Sequence, residues 1–170
     1  LLLKLTEELE NHTPAEAFGT GIDRLDRWTN GGVKRGELLT IGAPTSGGKS
    51  ILLLQMAVQA VLAGKKVAVF SLEMPATQVL ARMVSHLAGF NVGVFRIAGA
   101  KGSVNKDMLA KFNSASALIS QSGLVVESGF TDMESIDASA RDLAGKGNAD
   151  LVIVDYVQLV HLRAMASNET

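Results

Sequence analysis

The stretch that decides the fold is IGAPTSGGKS at residues 41–50, which lies between the apolar runs LLTI at 38–41 and ILLLQMAVQAV at 51–61. This order predicts a strand that ends at Ile41, a phosphate-binding loop and a helix through residues 51–61. Small loop residues let the backbone wrap a triphosphate, so that N–H groups and the positive helix end point at the anion. The predicted loop consists of Ala43, Pro44, Thr45, Ser46, Gly47, Gly48, Lys49 and Ser50.

Two loop residues carry side chains that suit a nucleoside triphosphate. Lys49 would reach the β- and γ-phosphates, and the Ser50 hydroxyl would bind a magnesium ion. The usual pattern opens with glycine where this chain has Ala43, and a methyl group is the smallest side chain that can replace it. The alternative is a glycine-rich turn that happens to carry a lysine. The strand before the loop, the helix after it and the Lys-Ser pair in register favour nucleotide binding.

Composition bounds the class of protein. A chain of 170 residues, 47% apolar and 19% charged, suits one domain with a proper core. The absence of cysteine excludes disulfides and cysteine-ligated metals and fits a reducing compartment. The apolar runs are too short to span a bilayer and no secretory signal is evident, so we expect a cytoplasmic protein without a membrane partner. A net charge of −1 gives no general attraction to nucleic acid, so any DNA-binding surface must be local or lie on other residues.

The first residues differ from the rest of the chain. Over residues 1–11 leucines recur every three to four positions between acids, which predicts a short amphipathic helix, and Thr13-Pro14 then breaks it. We therefore divide the chain into a linker helix and linker at residues 1–16 and one α/β domain at residues 17–170. Because the chain lacks an initiator methionine and begins inside a helical pattern, we expect it to be part of a longer protein.

Apolar strands alternate with helices through the larger part of the chain. This alternation is typical of a mostly parallel sheet with helices on both faces. Trp28, the single tryptophan, is expected to anchor a short helix to the core. The predicted strands beyond the loop cover residues 67–72, 124–126 and 151–154; the predicted helices cover 23–28, 76–87, 104–119 and 133–144; and 89–103 is expected to be a loop.

Two acids end predicted strands, and ligands of parallel α/β sheets bind beyond the carboxyl ends of the strands. Asp155 follows four aliphatic residues and would hold the magnesium ion opposite Ser50. Glu73 ends the strand after the loop helix and could orient or deprotonate the attacking water. Helix capping is the alternative for both acids.

Three segments together resemble the ATPase domain of DnaB-type replicative helicases. They are APTSGGKS at 43–50, FSLEMP at 70–75 and VDYVQL at 154–159. The lead-in TGID at 20–23, with the glycines that follow it, fits as well, although other RecA-like proteins share it. The resemblance covers about residues 17 to 160 and implies a RecA-like P-loop NTPase fold.

The resemblance assigns roles and partners. It implies that Lys49 and Ser50 contact phosphate and magnesium, that Glu73 is the catalytic glutamate and that Asp155 is the acid of the magnesium site; it leaves Gln158 without an assigned role. It implies an ATP-hydrolysing motor of a hexameric ring that translocates on single-stranded DNA and unwinds duplex, with the linker helix on the adjacent subunit. In the family, an arginine that completes a neighbour's site and the main DNA-binding loops come later in the chain. We therefore expect residues 1–170 alone to hydrolyse ATP poorly.

The sequence leaves two other hypotheses about function open. One is another RecA-like ATPase, such as a RadA-like recombination factor or a KaiC-like clock ATPase, which would share the lead-in and the loop. The other is a non-catalytic nucleotide-binding assembly module.

Overall fold

The computed structural model describes residues 17–44 and 46–155. The predicted linker helix, Thr45 and Gln158 lie outside these residues, and the division at residues 16 and 17 stays a prediction. Within the described ranges, no helix has the length and apolar character needed to cross a membrane.

A three-stranded parallel sheet forms the centre of the described domain. Its order is β4-β3-β5, where β3 is Val67–Ser71, β4 is Leu124–Ser128 and β5 is Leu151–Asp155. All five residues of β3 are buried, because β3 is hydrogen-bonded on both edges and covered on both faces. The register places Ser71 opposite Ser128 on one side and opposite Asp155 on the other. The predicted parallel α/β architecture is therefore confirmed.

Helices cover both faces of this sheet, as predicted. They are α1 (Asp23–Trp28), α2 (Lys49–Leu62), α3 (Ala76–Ala88), α4 (Val92–Ala100), α5 (Lys106–Gln121) and α6 (Met133–Gly145). The main core joins the face that carries Val67 and Val69 to the helices α2, α3 and α5, and Val79 and Met83 of α3 are fully buried in it. The opposite face, with Ala68 and Phe70, packs against α6. Full burial of an apolar side chain of this size contributes about 1.5–3 kcal/mol.

A small antiparallel pair that the sequence did not predict precedes the loop. Strands β1 (Ala17–Phe18) and β2 (Val33–Lys34) flank α1, and Phe18 is buried in the main core. Gly32 permits this pairing, since a Cβ at this position would lie 2.1 Å from the Phe18 carbonyl oxygen. The pair therefore depends on a close backbone approach, a constraint that hydrophobic patterning does not reveal.

The predicted strand over residues 38–41 is wrong. The structure assigns neither helix nor strand to this segment, and Leu38 is 91% exposed. The three described strands of the main sheet pair only with one another, so this apolar run has no ladder partner among them. A strand is stable only when its backbone groups are paired, and apolar composition alone does not supply a partner.

Two further expectations are wrong. Part of the predicted loop at 89–103 is α4, whose N-terminus is capped because the Asn91 side chain accepts a hydrogen bond of 2.7 Å from the Gly93 N–H. This cap offsets part of the helix-propensity cost of about 1 kcal/mol for each internal glycine. Trp28 is 71% exposed rather than an anchor, and the Arg24 guanidinium lies 4.6 Å from its ring centroid in a cation–π contact.

We predict that Gly32→Ala destabilises the protein by about 3 kcal/mol or more, because a Cβ at φ 109° overlaps the Phe18 carbonyl. Gly36→Ala is the matched control, since Gly36 also has a positive φ of 84° but has nothing within 4 Å of its Cβ position. The control should cost only the backbone strain, about 1–2 kcal/mol. Urea unfolding measures both changes in free energy. Equal losses for the two variants would show that the close approach contributes nothing.

Candidate functional site

The N-terminus of α2 lies at the carboxyl edge of the parallel sheet. Helix α2 has 14 residues, or roughly 21 Å, and packs on β3 and β5. It ends at Leu62, and β3 begins only a few residues later, at Val67. The helix therefore runs antiparallel to β3, so that its first turn, with Lys49 and Ser50, lies near the residues that end β3 and β5.

The described residues just before α2 form a tight turn. Ser46 and Gly48 both have left-handed φ angles, of 62° and 87°, and the Gly47 N–H donates to the Pro44 carbonyl at 2.9 Å. A Cβ on Gly47 would lie 2.9 Å from that same carbonyl oxygen, so this position is restricted to glycine. Helix α2 then begins with the hydrogen bond from Leu52 N–H to the Gly48 carbonyl. The first turn of a helix has N–H groups without intrahelical carbonyl partners, which favours an anion at that point.

The predicted phosphate-binding residues are accessible at this turn. Lys49 and Ser50 are half-buried at the start of α2, and Gly48 is the residue that caps it. Ala43 and Pro44, which come earlier in the loop, are exposed. Lys49 and Ser50 therefore begin the helix at a turn whose described residues are open to solvent.

Asp155 has the most unusual environment of the predicted site residues. It is 3% exposed, and its Oδ1 is a buried oxygen without a hydrogen-bond partner in the described part of the chain. An unpartnered buried carboxylate oxygen is costly, so such a group is expected where a cation supplies the missing interaction. Its backbone carbonyl accepts a 2.8 Å hydrogen bond from the Leu72 N–H, which joins the ends of β5 and β3.

The surroundings of Asp155 fit magnesium better than a metal held entirely by protein. Among residues 17–44 and 46–155, no three acidic or histidine side chains group into a metal-binding cluster. Magnesium typically takes one or two protein oxygens and completes its shell with water and phosphate oxygens. Asp155 and the Ser50 hydroxyl are the two protein groups that the sequence predicts for this purpose.

Glu73 lies in the turn between β3 and α3, and its side chain is exposed. The cap residue of α3 is Pro75, and the first N–H of the helix, at Ala76, donates to the Ser128 hydroxyl at 3.3 Å. Glu73 is therefore not the capping residue of α3, which was the alternative for it. Because the Leu72 N–H is bonded to the Asp155 carbonyl, the turn with Glu73 lies beside the end of β5.

A third acid near this edge has a different role. Glu127 of β4 lies in register with Phe70, on the sheet face that packs against α6. There its carboxylate accepts a 2.8 Å hydrogen bond from the Ser139 hydroxyl. Glu127 therefore belongs to the opposite face from Asp155.

The lead-in to the loop makes hydrogen bonds that the sequence motifs do not predict. The backbone N–H and the hydroxyl of Thr20, which is fully buried, both donate to the Asp26 carboxylate at 2.7 Å. The Gln55 side-chain amide donates to the Gly21 carbonyl at 2.9 Å, which ties the lead-in to α2. The short spacing of six residues between Thr20 and Asp26 could have indicated their contact from the sequence. The Gln55 contact joins residues 34 apart, and no local sequence pattern indicates it.

Comparison with known proteins identifies relatives along the whole chain. The family model for the DnaB-like helicase C terminal domain matches residues 17–170. The replicative DNA helicase DnaB of Haemophilus influenzae is 29% identical over 172 residues, which is 99% of this chain and 36% of that protein. The replicative DNA helicase DnaC of Bacillus subtilis is 30% identical over 143 residues, which is 83% of this chain and 30% of that protein. The chain therefore spans about a third of the length of these curated relatives.

Solved structures agree with this assignment. A solved ATPase domain matches with a TM-score of 0.80 and 25% identity, over 99% of this chain and 59% of that chain. A DnaB-like replicative helicase, described with its interactions with primase, gives the same TM-score and identity over 99% of this chain and 41% of that chain. These neighbours confirm the predicted RecA-like fold, and use of a nucleotide follows from it. The chain belongs to the DnaB-like helicase C-terminal domain family.

Proposed function

We propose that this chain is the ATP-hydrolysing motor domain of a replicative DNA helicase. The observation that carries the proposal is the buried Asp155 carboxylate, whose Oδ1 lacks a hydrogen-bond partner in the described residues. It lies at the same sheet edge as the first turn of α2, where Lys49 and Ser50 begin the helix. In a member of this family, these groups would supply the phosphate and metal contacts of a nucleoside triphosphate site.

The phosphate loop would hold the triphosphate of ATP. Lys49 supplies a positive charge for the β- and γ-phosphates, and the N-terminal turn of α2 adds backbone donors and the positive end of the helix dipole. The left-handed conformations of Ser46 and Gly48 support this role, because they turn the backbone tightly around the place where a phosphate would lie.

Magnesium is the cofactor that fits the site, and Asp155 and Ser50 are the residues that would hold it. When bound, it neutralises charge that develops on the phosphate oxygens during transfer. Burial of Asp155 keeps its carboxylate fixed in place, so that little reorganisation is needed when the ion binds.

Glu73 would act on the attacking water. Its exposed side chain extends from the turn beside the end of β5, where it can accept a hydrogen bond from water and orient or deprotonate it. Phosphoryl transfer needs little covalent chemistry from the protein, so positioning of water and stabilisation of charge account for most of the catalysis.

We extend the activity named for the curated relatives to the longer protein. ATP hydrolysis at subunit contacts of a homohexameric ring would drive translocation on single-stranded DNA and unwinding of the duplex. The net charge of −1 supports DNA contacts made mainly by residues beyond this chain. Replication proteins of bacteria work in the cytoplasm, where we place this one.

We predict that Lys49→Ala in the full-length protein lowers the affinity for Mg-ATP by at least about 100-fold, because the phosphates lose the positive charge of the lysine side chain. Lys101→Ala, which removes an exposed lysine at the end of α4, is the control for net charge and should bind normally. Isothermal titration calorimetry measures both affinities. Equal affinities for the two variants would exclude Lys49 from the nucleotide site.

We predict opposite effects of Asp155→Asn on stability and on metal-dependent binding. A neutral amide costs less to bury than an unpartnered carboxylate, so the nucleotide-free protein should gain about 1 kcal/mol in free energy of unfolding. The affinity for Mg-ATP should fall by at least about tenfold, because a magnesium ligand is lost. Asp142→Asn, at an exposed acid paired with Lys146, is the control. Chemical unfolding without nucleotide and calorimetry with Mg-ATP give the two values, and unchanged Mg-ATP affinity would contradict the magnesium assignment.

The test of the whole proposal is ATP-driven strand displacement from forked DNA by the full-length protein and by its Glu73→Gln variant. The variant keeps the shape of the side chain but is a much weaker base. We therefore expect normal Mg-ATP binding and a loss of about 100- to 10,000-fold in ATP turnover, with no unwinding. Glu134→Gln, at an exposed acid of α6, should unwind like the parent.

The outcomes separate the parts of the proposal. ATP turnover without unwinding by the parent protein would contradict the helicase activity and leave an ATPase. Turnover at the parent rate by Glu73→Gln would remove Glu73 from the mechanism. Absence of turnover by the parent itself would favour a nucleotide-binding assembly module.

A further inference from the structure

The turn that carries Glu73 is held by hydrogen bonds from all three strands of the sheet. From β3, the Ser71 hydroxyl accepts a 3.2 Å bond from the Met74 N–H. From β4, the Ser128 hydroxyl accepts a 3.3 Å bond from the Ala76 N–H. From β5, the Asp155 carbonyl accepts a 2.8 Å bond from the Leu72 N–H.

The contact from Ser128 supplies what the turn cannot supply itself. The cap residue of α3 is Pro75, which offers no side-chain acceptor to the first N–H groups of the helix. Ser128 comes 52 residues after Ala76 in the chain and lies on a neighbouring strand, from which its hydroxyl replaces the missing cap. One end of the turn is therefore fixed by a hydroxyl whose place is set by the sheet register.

The register explains why these groups converge. Ser71 lies opposite both Ser128 and Asp155, and residues in register on parallel strands direct their side chains to the same face. The three side chains form a row at the carboxyl edge, on the face that packs against α2 and α3. In this row the two hydroxyls bond the turn, while the Asp155 carboxylate keeps an oxygen without a partner in the described residues.

We propose that Ser128 is a positioning residue for ATP hydrolysis, which acts by fixing the turn so that Glu73 meets the attacking water. The inference rests on the proposed role of Glu73. Ser128 carries no charge and does not contact the reacting atoms; its effect passes through the Ala76 N–H and the turn. A displacement of a catalytic group by about 1 Å can reduce the rate of reaction on the order of 100-fold, so a single tether of this kind affects catalysis.

The position of Ser128 allows its catalytic effect to be measured apart from stability. Ser128 is exposed at the end of β4, so loss of its hydroxyl leaves the Ala76 N–H able to bond water instead. Ser71 is buried, and its removal would leave the Met74 N–H without a partner inside the core. Ser128 is therefore the better residue to substitute.

The experiment compares Ser128→Ala, Ser128→Thr and Ser120→Ala in the full-length protein. We expect Ser128→Ala to lower kcat for ATP hydrolysis on the order of tenfold, with KM within about twofold of the parent value and an unchanged melting temperature. Ser128→Thr keeps the hydroxyl and should recover most of kcat. Ser120→Ala removes an exposed hydroxyl that bonds only within α5 and should leave kcat unchanged.

A double substitution tests whether Ser128 acts through Glu73. In the Glu73→Gln background, single-turnover hydrolysis should not fall further when Ser128→Ala is added, because a misplaced side chain that no longer acts as a base loses nothing more. Parent-like kcat for Ser128→Ala, a rise in KM alone, or a further loss in the Glu73→Gln background would each overturn the inference and leave the role of Glu73 intact. Parent-like turnover by Glu73→Gln alone would overturn both.

Discussion

The register between β3 and its two neighbours is the constraint from which the site is built. Parallel pairing in this register places Ser71, Ser128 and Asp155 side by side at one edge, although they come from parts of the chain up to 84 residues apart. A slip of one residue in β5 would move Asp155 to the other face, towards α6. The buried apolar residues at alternate positions of the strands oppose such a slip, because it would remove Ile153 from the main core and turn the wrong set of side chains towards it. Core packing thus determines where the acid of the site lies.

Burial of Asp155 shows the conflict between folding and function most directly. An apolar or neutral side chain at the end of β5 would remove the cost of an unpartnered carboxylate oxygen. The same burial fixes the carboxylate and shields it from water, which would strengthen its interaction with the proposed cation. Ser71 and Ser128 do not carry this cost, because a hydroxyl that bonds a backbone N–H is satisfied within the protein.

Local pattern predicted the parts of the fold that local chemistry determines. Strands β3 and β5, helices α1, α3 and α6, and the acids at the strand ends all follow from short apolar runs and the residues that end them. The errors occur where the local structure depends on a contact with residues far away in the sequence. Residues 38–41 have the composition of a strand, but a strand forms only where the segment pairs with another, and this segment pairs with none of the described strands. The Ser128 contact with Ala76 joins residues 52 apart, and a lone serine after an apolar run carries no signal of it. The roles of the site residues remain predictions until they are measured.

The site has two halves that are anchored in different ways. The phosphate half, at the first turn of α2, is tied to the lead-in through the Gln55 contact with Gly21. The half proposed to hold water and metal is tied to the three strand ends by main-chain and hydroxyl contacts. Between them, α2 packs against the sheet through apolar side chains such as Leu54 and Val58, which are non-directional contacts. Directional hydrogen bonds fix each half internally, while apolar packing fixes one half against the other. Small movements of α2 along the sheet would therefore alter the distance between the proposed phosphate and water positions without disturbing either half, and the proposed motor activity would need this freedom to couple nucleotide cleavage to a change of shape.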